Sequence, residues 1–294
     1  MNSLVRPLSS AVLLLLTVAS PLCAWQASGQ DQAPAADPKE IIRRSVEIDH
    51  RTMELARNYT CRQREVTKHL DSHGAVRSTE IKTWDITVLY GELYSRLIQK
   101  DDKPLSSGDE KKEQEKLDKF VARHKNESDS DRRKRLEKEK KDREQERAFL
   151  RDVVNAYDFR MVGSEAVDGR DSWVIEASPR KDFHPTQPHA DVLSKIRGKV
   201  WIDKQDYSWT RLQAEAIDTI SFGLFIARIH KGSKFNLEQV RLNDEVWLLR
   251  HFYLNADARV LLFKNLALEQ EDTFSDYKKF STNTKILPEV KEVH

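Results

Sequence analysis

The chain has 294 residues, 33% of them charged, yet 50 Lys and Arg face 48 Asp and Glu, a formal net charge of +2. That near balance leaves no global positive field, which excludes a protein that grips nucleic acid through its overall charge. Two cysteines, Cys23 and Cys61, are too few for a disulfide-built scaffold.

The first residues read as a secretory signal: Arg6 precedes an uncharged apolar core at 11–19, followed by Pro21 and small residues around Ala24 and Ala27. This predicts a cleaved signal peptide at 1–24, a flexible linker at 25–38, a periplasmic location and no transmembrane span after cleavage. An uncleaved signal anchor is the alternative. Ser20, Pro21 and Leu22 lack the small residue expected beside a lipid-modified Cys23. After cleavage Cys61 is the sole thiol, so no intramolecular disulfide forms, and its position suits a small residue buried in the first strand.

Pro38 suits the first turn of a helix that runs to about 57. Ile41, Ile42, Val46, Ile48, Met53 and Leu55 lie on one side of it, opposite Arg43, Arg44, Glu47, Arg51 and Arg57. Strands are expected at 59–70, 76–90 and 93–100, with Ser72, His73, Gly74 and Gly91 at the reversals. In the second strand Trp84, Ile86, Val88 and Tyr90 share a dry face, and Thr83, Asp85 and Thr87 the wet one.

The pattern then changes. About two-thirds of positions 107–150 are charged and both signs interleave, so 108–152 reads as a helical insertion. Glu137 with Lys141 and Glu139 with Arg143 stand in the favourable order at four-residue spacing. A break is expected at 126–131, where Ser128 or Ser130 caps a second helix. Apolar residues only near its ends describe a projecting hairpin docked by its base, either a solvated insertion or a lid or docking arm for a partner.

Alternation returns at 157. Tyr157, Phe159 and Met161 share one face, Asp168 and Gly169 make a hairpin turn, and Trp173, Ile175 and Ala177 return. Prolines 179, 185 and 188 interrupt the pairing, and a short helix fits 189–196. Further strands are expected at 200–203, 207–217, 222–230, 234–242, 245–255 and 258–270, with turns at Asn243 and Asp244 and at 255–257. The ten or eleven strands in hairpin order define a mainly β fold: a curved antiparallel sheet or unclosed β-barrel around an N-terminal helix, with a charged helical-hairpin insertion. A single domain is expected over 39–283, followed by a tail at 284–294.

The segments FRMVGSEAVDGRDSWVIEASPR, GKVWIDKQDYSWTRLQAEA and EVWLLRHFYLNADARVLLFKNLALEQEDTFSDYKKF resemble the exported LolA-like superfamily, which includes outer-membrane lipoprotein-sorting carriers and the sensor domain of RseB-type regulators. The resemblance implies an unclosed β-barrel wrapped around helices, with an apolar cavity for acyl chains. Two features depart from it: the charged insertion after Ser107, and Arg96 in YSRLI, where carriers have Arg-Pro followed by an aromatic residue.

No Gly-rich phosphate loop, serine nucleophile elbow or paired-cysteine motif occurs, so no enzyme and no cofactor is expected. No metal site is expected either: His184, His189 and Asp182 fall in a proline-broken loop without further ligands. His230 and His251 lie in predicted strands, and Asp203 and Asp206 suit turn chemistry. A transmembrane β-barrel conflicts with Arg241, Arg250 and Arg259 beside apolar rows. An open sheet with one helix leaves inner surface uncovered, so Trp84, Val88, Phe159, Trp173, Ile175 and Leu212 are expected to line one apolar ligand cavity. The predicted function is a non-enzymatic periplasmic carrier or chaperone for lipid or lipoprotein acyl chains. The alternatives are an envelope sensor that binds a partner protein through 109–150, or a structural envelope protein with a filled core.

Overall fold

The computed structural model describes residues 36–222, 227–260 and 264–280. The expected signal peptide, nearly all of the linker and the tail at 284–294 lie outside the described residues. Helix α1 (Pro38–Ala56) begins where the Asp37 side chain accepts the Lys39 N–H at 3.1 Å and Pro38 occupies a position that needs no donor. Ile41, Ile42 and Ser45 are buried on one face, while Arg43 and Arg44 pair with Glu40 on the other.

Three strands follow, β1 (Tyr59–Leu70), β2 (Val76–Leu89) and β3 (Glu92–Lys100), then the two-residue β4 (Lys103–Pro104). The helical insertion consists of α2 (Ser107–Lys125) and α3 (Asp129–Ala156). Asn126 ends α2, and the Ser128 hydroxyl caps α3 by accepting the Asp131 N–H at 3.1 Å. Next come β5 (Tyr157–Val167), β6 (Arg170–Pro179), a short 3₁₀ helix (Ala190–Lys195), β7 (Ile196–Asp203) and β8 (Trp209–Ala216). The last strands are β9 (Ile220–Phe222), β10 (Ala227–Ile229), β11 (Lys234–Leu242), β12 (Val246–Val260) and β13 (Lys264–Lys279).

All these strands join one antiparallel sheet in the order β4-β3-β2-β1-β13-β12-β11-β8-β7-β6-β5, with the β9–β10 pair attached to β12. The two ends of that order do not pair with each other, so the sheet is unclosed. Tight reversals account for its regular meander: Tyr90 and Gly91, Asp101 and Asp102, and Asp168 and Gly169 all adopt positive φ, the geometry of two-residue hairpin turns that match strand twist. Helix α1 touches β12, β7 and β5. Five inter-strand steps separate β12 from β5; laid flat they would span about 24 Å, roughly twice a helix diameter. The sheet must therefore curl around α1.

Three expectations are corrected. The turn expected at 255–257 is absent: β12 runs through it to Val260, because Asn255 donates across the ladder to Glu269 at 3.2 Å and Ala256 is buried opposite Leu268. The strand expected at 222–230 is the β9–β10 pair, with 223–226 outside the described residues. In β2 the expected faces are not cleanly separated: Thr83 is buried and Trp84 half-buried, beside a bulge in the facing β3 between Leu97 and Gln99.

The helical hairpin also does more than dock by its base. Helix α2 lies along β3, where the buried Glu113 carboxylate accepts the Leu97 N–H at 3.3 Å. Lys100 reaches Asp109 at 3.1 Å, and the Tyr94 and Phe120 rings stand 4.9 Å apart. Glu92 meets His124, Arg123 and Arg135. A strand edge that would otherwise offer free backbone groups is thus covered. The β5 edge is instead interrupted by a bulge between Met161 and Gly163.

Candidate functional site

The inner face of β5–β8 and β11 meets α1, the end of α3 and the 3₁₀ helix around a cavity of about 400 Å³. Its floor follows from register. Ala177 on β6, Gly198 on β7 and Ala214 on β8 stand directly opposite one another, forming a row of small side chains across three strands. A Cβ at Gly198 would lie 2.8 Å from the Gln213 carbonyl oxygen, so close strand approach requires glycine there. Larger residues rise beside this trench: Phe159, Val200, Leu212 and Phe235 form walls, and Ile42 and Val46 of α1 lie across it. Phe149 and Val153 of α3, with Leu193 of the 3₁₀ helix, line it further.

The end of α3 is held over the cavity by one carboxylate. Asp152, 3% exposed, accepts the Thr186 hydroxyl at 2.6 Å, the Thr186 N–H at 2.9 Å and the Gln187 N–H at 3.0 Å. Burial by itself would raise its pKa; the three hydrogen bonds outweigh burial and hold it below the usual carboxylate range. Polar groups at the cavity are few. Ser45 and Asp49 project from α1, and Asp49 Oδ1 accepts the Trp209 indole N–H at 2.9 Å. A second depression, of about 550 Å³, lies beside the same small-residue row; it is flanked by the pairs Arg197–Glu215 and Lys199–Glu176 and by Lys234.

Of the six residues expected at one apolar space, Phe159 and Leu212 line the cavity. Ile175, fully buried, packs with Ile41, Ile42 and Ile202 in the adjoining core, and Trp173 packs against that cluster with its ring 5.3 Å from Tyr207. Trp84 and Val88 stand elsewhere: Trp84 is paired between Gln63 and Leu97, and Val88 faces Leu93 near the β2–β3 turn. The sheet order explains the separation, since β2 lies four steps from β11. Ser45, Asp49, Gly198 and Ala214 were not singled out in the sequence. Asp49 follows Ile42 and Val46 at helical spacing and was legible as a polar break in an inward stripe. The small-residue row depends on register and was not.

Other candidate groups have structural partners. Asp182 is bound by Arg180 at 2.8 Å beside the exposed His184. His230 lies 3.4 Å from Asp257, and His251 lies 2.9 Å from Glu271. Asp203 accepts the Gln205 and Asp206 N–H groups and a two-pronged contact from Arg170 at 2.7 Å. Burial pushes the Cys61 thiol up to about 11, which keeps it protonated at neutral pH. Among the described residues no cluster of three or more His, Cys, Asp or Glu is placed to hold a metal, and no helix is long and apolar enough to cross a membrane.

The class defined by these observations is an open antiparallel sheet with an apolar pocket on its inner face. No protein-family model and no curated protein matches the chain. Among solved structures it is similar to an outer membrane lipoprotein-sorting protein domain from Vibrio parahaemolyticus, with 12% identity, a TM-score of 0.32 and coverage of 83% of this chain and 95% of that one. It is also similar to a LolA superfamily protein from Nitrosomonas europaea, with 9% identity, a TM-score of 0.27 and coverage of 84% and 95%. A chain of the Pseudomonas aeruginosa MucA/MucB complex matches with 11% identity, a TM-score of 0.24 and coverage of 84% and 100%.

Proposed function

We propose that this chain is a non-enzymatic, exported lipid-binding protein that carries or shelters acyl chains of lipids or lipoproteins in the periplasm. The apolar cavity carries the reading. Its volume of about 400 Å³ falls within the roughly 300–1,000 Å³ of small-molecule sites. Its walls are aliphatic and aromatic, so a ligand is held mainly by burial, about 0.8 kcal/mol for each methylene removed from water. Export is supported by Arg6 and the apolar core at 11–19.

Mass spectrometry of lipid extracted from protein purified from a cell-envelope fraction tests the reading. The expected result is a lipid or acylated species at near one-to-one ratio, depleted when Ala214→Phe fills the floor. Protein recovered folded and free of lipid, which then takes up no added long-chain lipid, would overturn it. Sequencing the mature N-terminus tests export: a start within 24–28 is expected, and an intact Met1 in cytoplasmic material contradicts it.

A second reading, a sensor that engages a partner through 109–150, is favoured by exposed Leu136 between the basic residues Arg132, Arg133 and Lys140 on α3. A partner retained by the protein and lost with Leu136→Asp supports it.

A further inference from the structure

Three of the five large hydrophobic side chains that stand exposed among the described residues lie at one end of the fold: Tyr90, Leu93 and Leu136, with Leu93 the most exposed at 67%. Two chain reversals meet there, the β2–β3 turn and the break between α2 and α3. The Tyr90 ring stacks on that of His124 in α2 with centroids 5.0 Å apart, and Glu92 meets Arg123 of α2 at 3.5 Å and Arg135 of α3 at 3.4 Å. Turn chemistry does not account for Tyr90. The reversals at 101–102, 168–169 and 243–244 fill their positive-φ positions with Asp, Asn or Gly, whereas the β2–β3 turn holds an aromatic residue at a φ of 53°. A bulky side chain there carries backbone strain, and folds keep such strain where the residue serves a function.

Bases surround these side chains. From Phe120, whose ring lies 6.4 Å from that of Tyr90, to Leu136 the chain carries Arg123, Lys125, Arg132, Arg133, Lys134 and Arg135 against Glu127, Asp129 and Asp131. Arg135 holds Glu127 at 2.8 Å, and Asp131 lies 3.8 Å from Lys134. Lys125, Arg132 and Arg133 are exposed, and Lys125 and Arg133 stand in no ion pair among the described residues. Exposed apolar side chains flanked by such bases suit an anionic lipid surface. A protein would need to bury about 1,000 Å² or more with close complementarity. Three apolar side chains spread over two chain reversals offer no such face, whereas a fluid surface adapts to whatever enters it. We propose that this end of the molecule docks on an anionic lipid surface, Tyr90 and Leu93 entering the head-group layer while Lys125, Arg132 and Arg133 meet lipid phosphates. The docking is independent of what the cavity holds.

Co-sedimentation of protein recovered from the cell envelope tests this, with vesicles of phosphatidylcholine alone or of equal parts phosphatidylcholine and phosphatidylglycerol. Wild type is expected to partition about tenfold or more strongly onto the anionic vesicles at low salt and to lose most of that preference at high salt. Leu93→Asp should weaken partitioning by about tenfold or more. Lys125→Gln with Arg133→Gln should weaken it by about twentyfold, near fivefold for each base, and keeps the test decisive should Leu93→Asp fold poorly. Val76→Asp changes an exposed apolar residue at the far end of β2 and should partition as wild type. A wild type that prefers neither vesicle, unchanged partitioning in either folded variant, or an equal loss with Val76→Asp overturns the proposal. So does an envelope protein retained by wild type and lost with Leu93→Asp in the absence of vesicle binding, which would assign this end of the molecule to a protein partner.

Discussion

Ala214 and Ile175 stand in adjacent rows of the inner sheet face, and the cavity gives them opposite responses to substitution. Ala214→Phe adds volume above a trench floor, so little overpacking results, and the expected stability change is under about 1 kcal/mol with loss of bound lipid. Ile175→Ala removes volume from the packed cluster with Ile41, Ile42 and Ile202, and the expected cost is about 2–5 kcal/mol. Urea titration of both variants beside lipid analysis separates the two outcomes; a large loss of stability in Ala214→Phe would show that the space is already filled by protein. Asp203 gives a pH test. Burial raises its pKa, but hydrogen bonds from Arg170 and from the Asp206 and Gln205 N–H groups hold the folded-state value below the ordinary one. A lowered folded value means that the stabilisation is complete above the ordinary carboxylate range and is lost as pH falls through the folded value. Asp203→Asn should cost about 2 kcal/mol near neutral pH by taking the two-pronged charge partner from Arg170, which keeps Asp206 at 3.3 Å, and should flatten the fall in Tm below about pH 4. An acid limb as steep as wild type would assign the effect to other carboxylates.

At the scale of elements, α2 is a cover for β3. Glu113→Ala removes the acceptor of the Leu97 N–H and is expected to speed hydrogen exchange at that amide at least tenfold, while amides of β11 keep their protection. Unchanged exchange at Leu97 would show that the helix backbone alone shields the edge. This role was hidden in the sequence because Glu113 sits in a run of charges, where one inward carboxylate looks like its solvated neighbours. Alternation and turn residues, by contrast, made most strands legible: Asp168 with Gly169 and the 59–70 run fall where the structure has a turn and a strand. Asn255 and Asp257 misled for a physical reason, since turn-forming side chains are tolerated in a ladder when neighbouring strands supply partners, Glu269 for Asn255 and His230 for Asp257. Two of the six expected site residues line the cavity. Phe159 and Leu212 announce an inner face, but which inner faces meet is decided by strand order, and that order separates Trp84 and Val88 from them.

For the whole molecule the decisive contact is the β1–β13 ladder. It joins β1–β4 to β5–β12 through a register running from Tyr59 opposite Lys279 to Leu70 opposite Ala267. A chain ending at residue 262 loses the shared strand. It should show no single cooperative thermal transition, whereas a chain ending at residue 282 should melt as wild type. Two-state melting of the shorter chain would show that the helical hairpin, which packs on β3 through α2 and on α1 and the 3₁₀ helix through α3, suffices to hold the halves together.

The same ladder sets a timetable for biosynthesis. Tyr59 and Lys279 pair although about 220 residues separate them in the chain, an interval of roughly 10–40 s at ordinary rates of translation. Throughout that interval β1 lacks its β13 neighbour, as β12 does for its last moments, and an unpaired edge accepts any strand that reaches it. A nascent chain stalled before residue 264 would therefore be the form most prone to aggregate, and the sheet is completed by the arrival of β13 rather than by the strands made first.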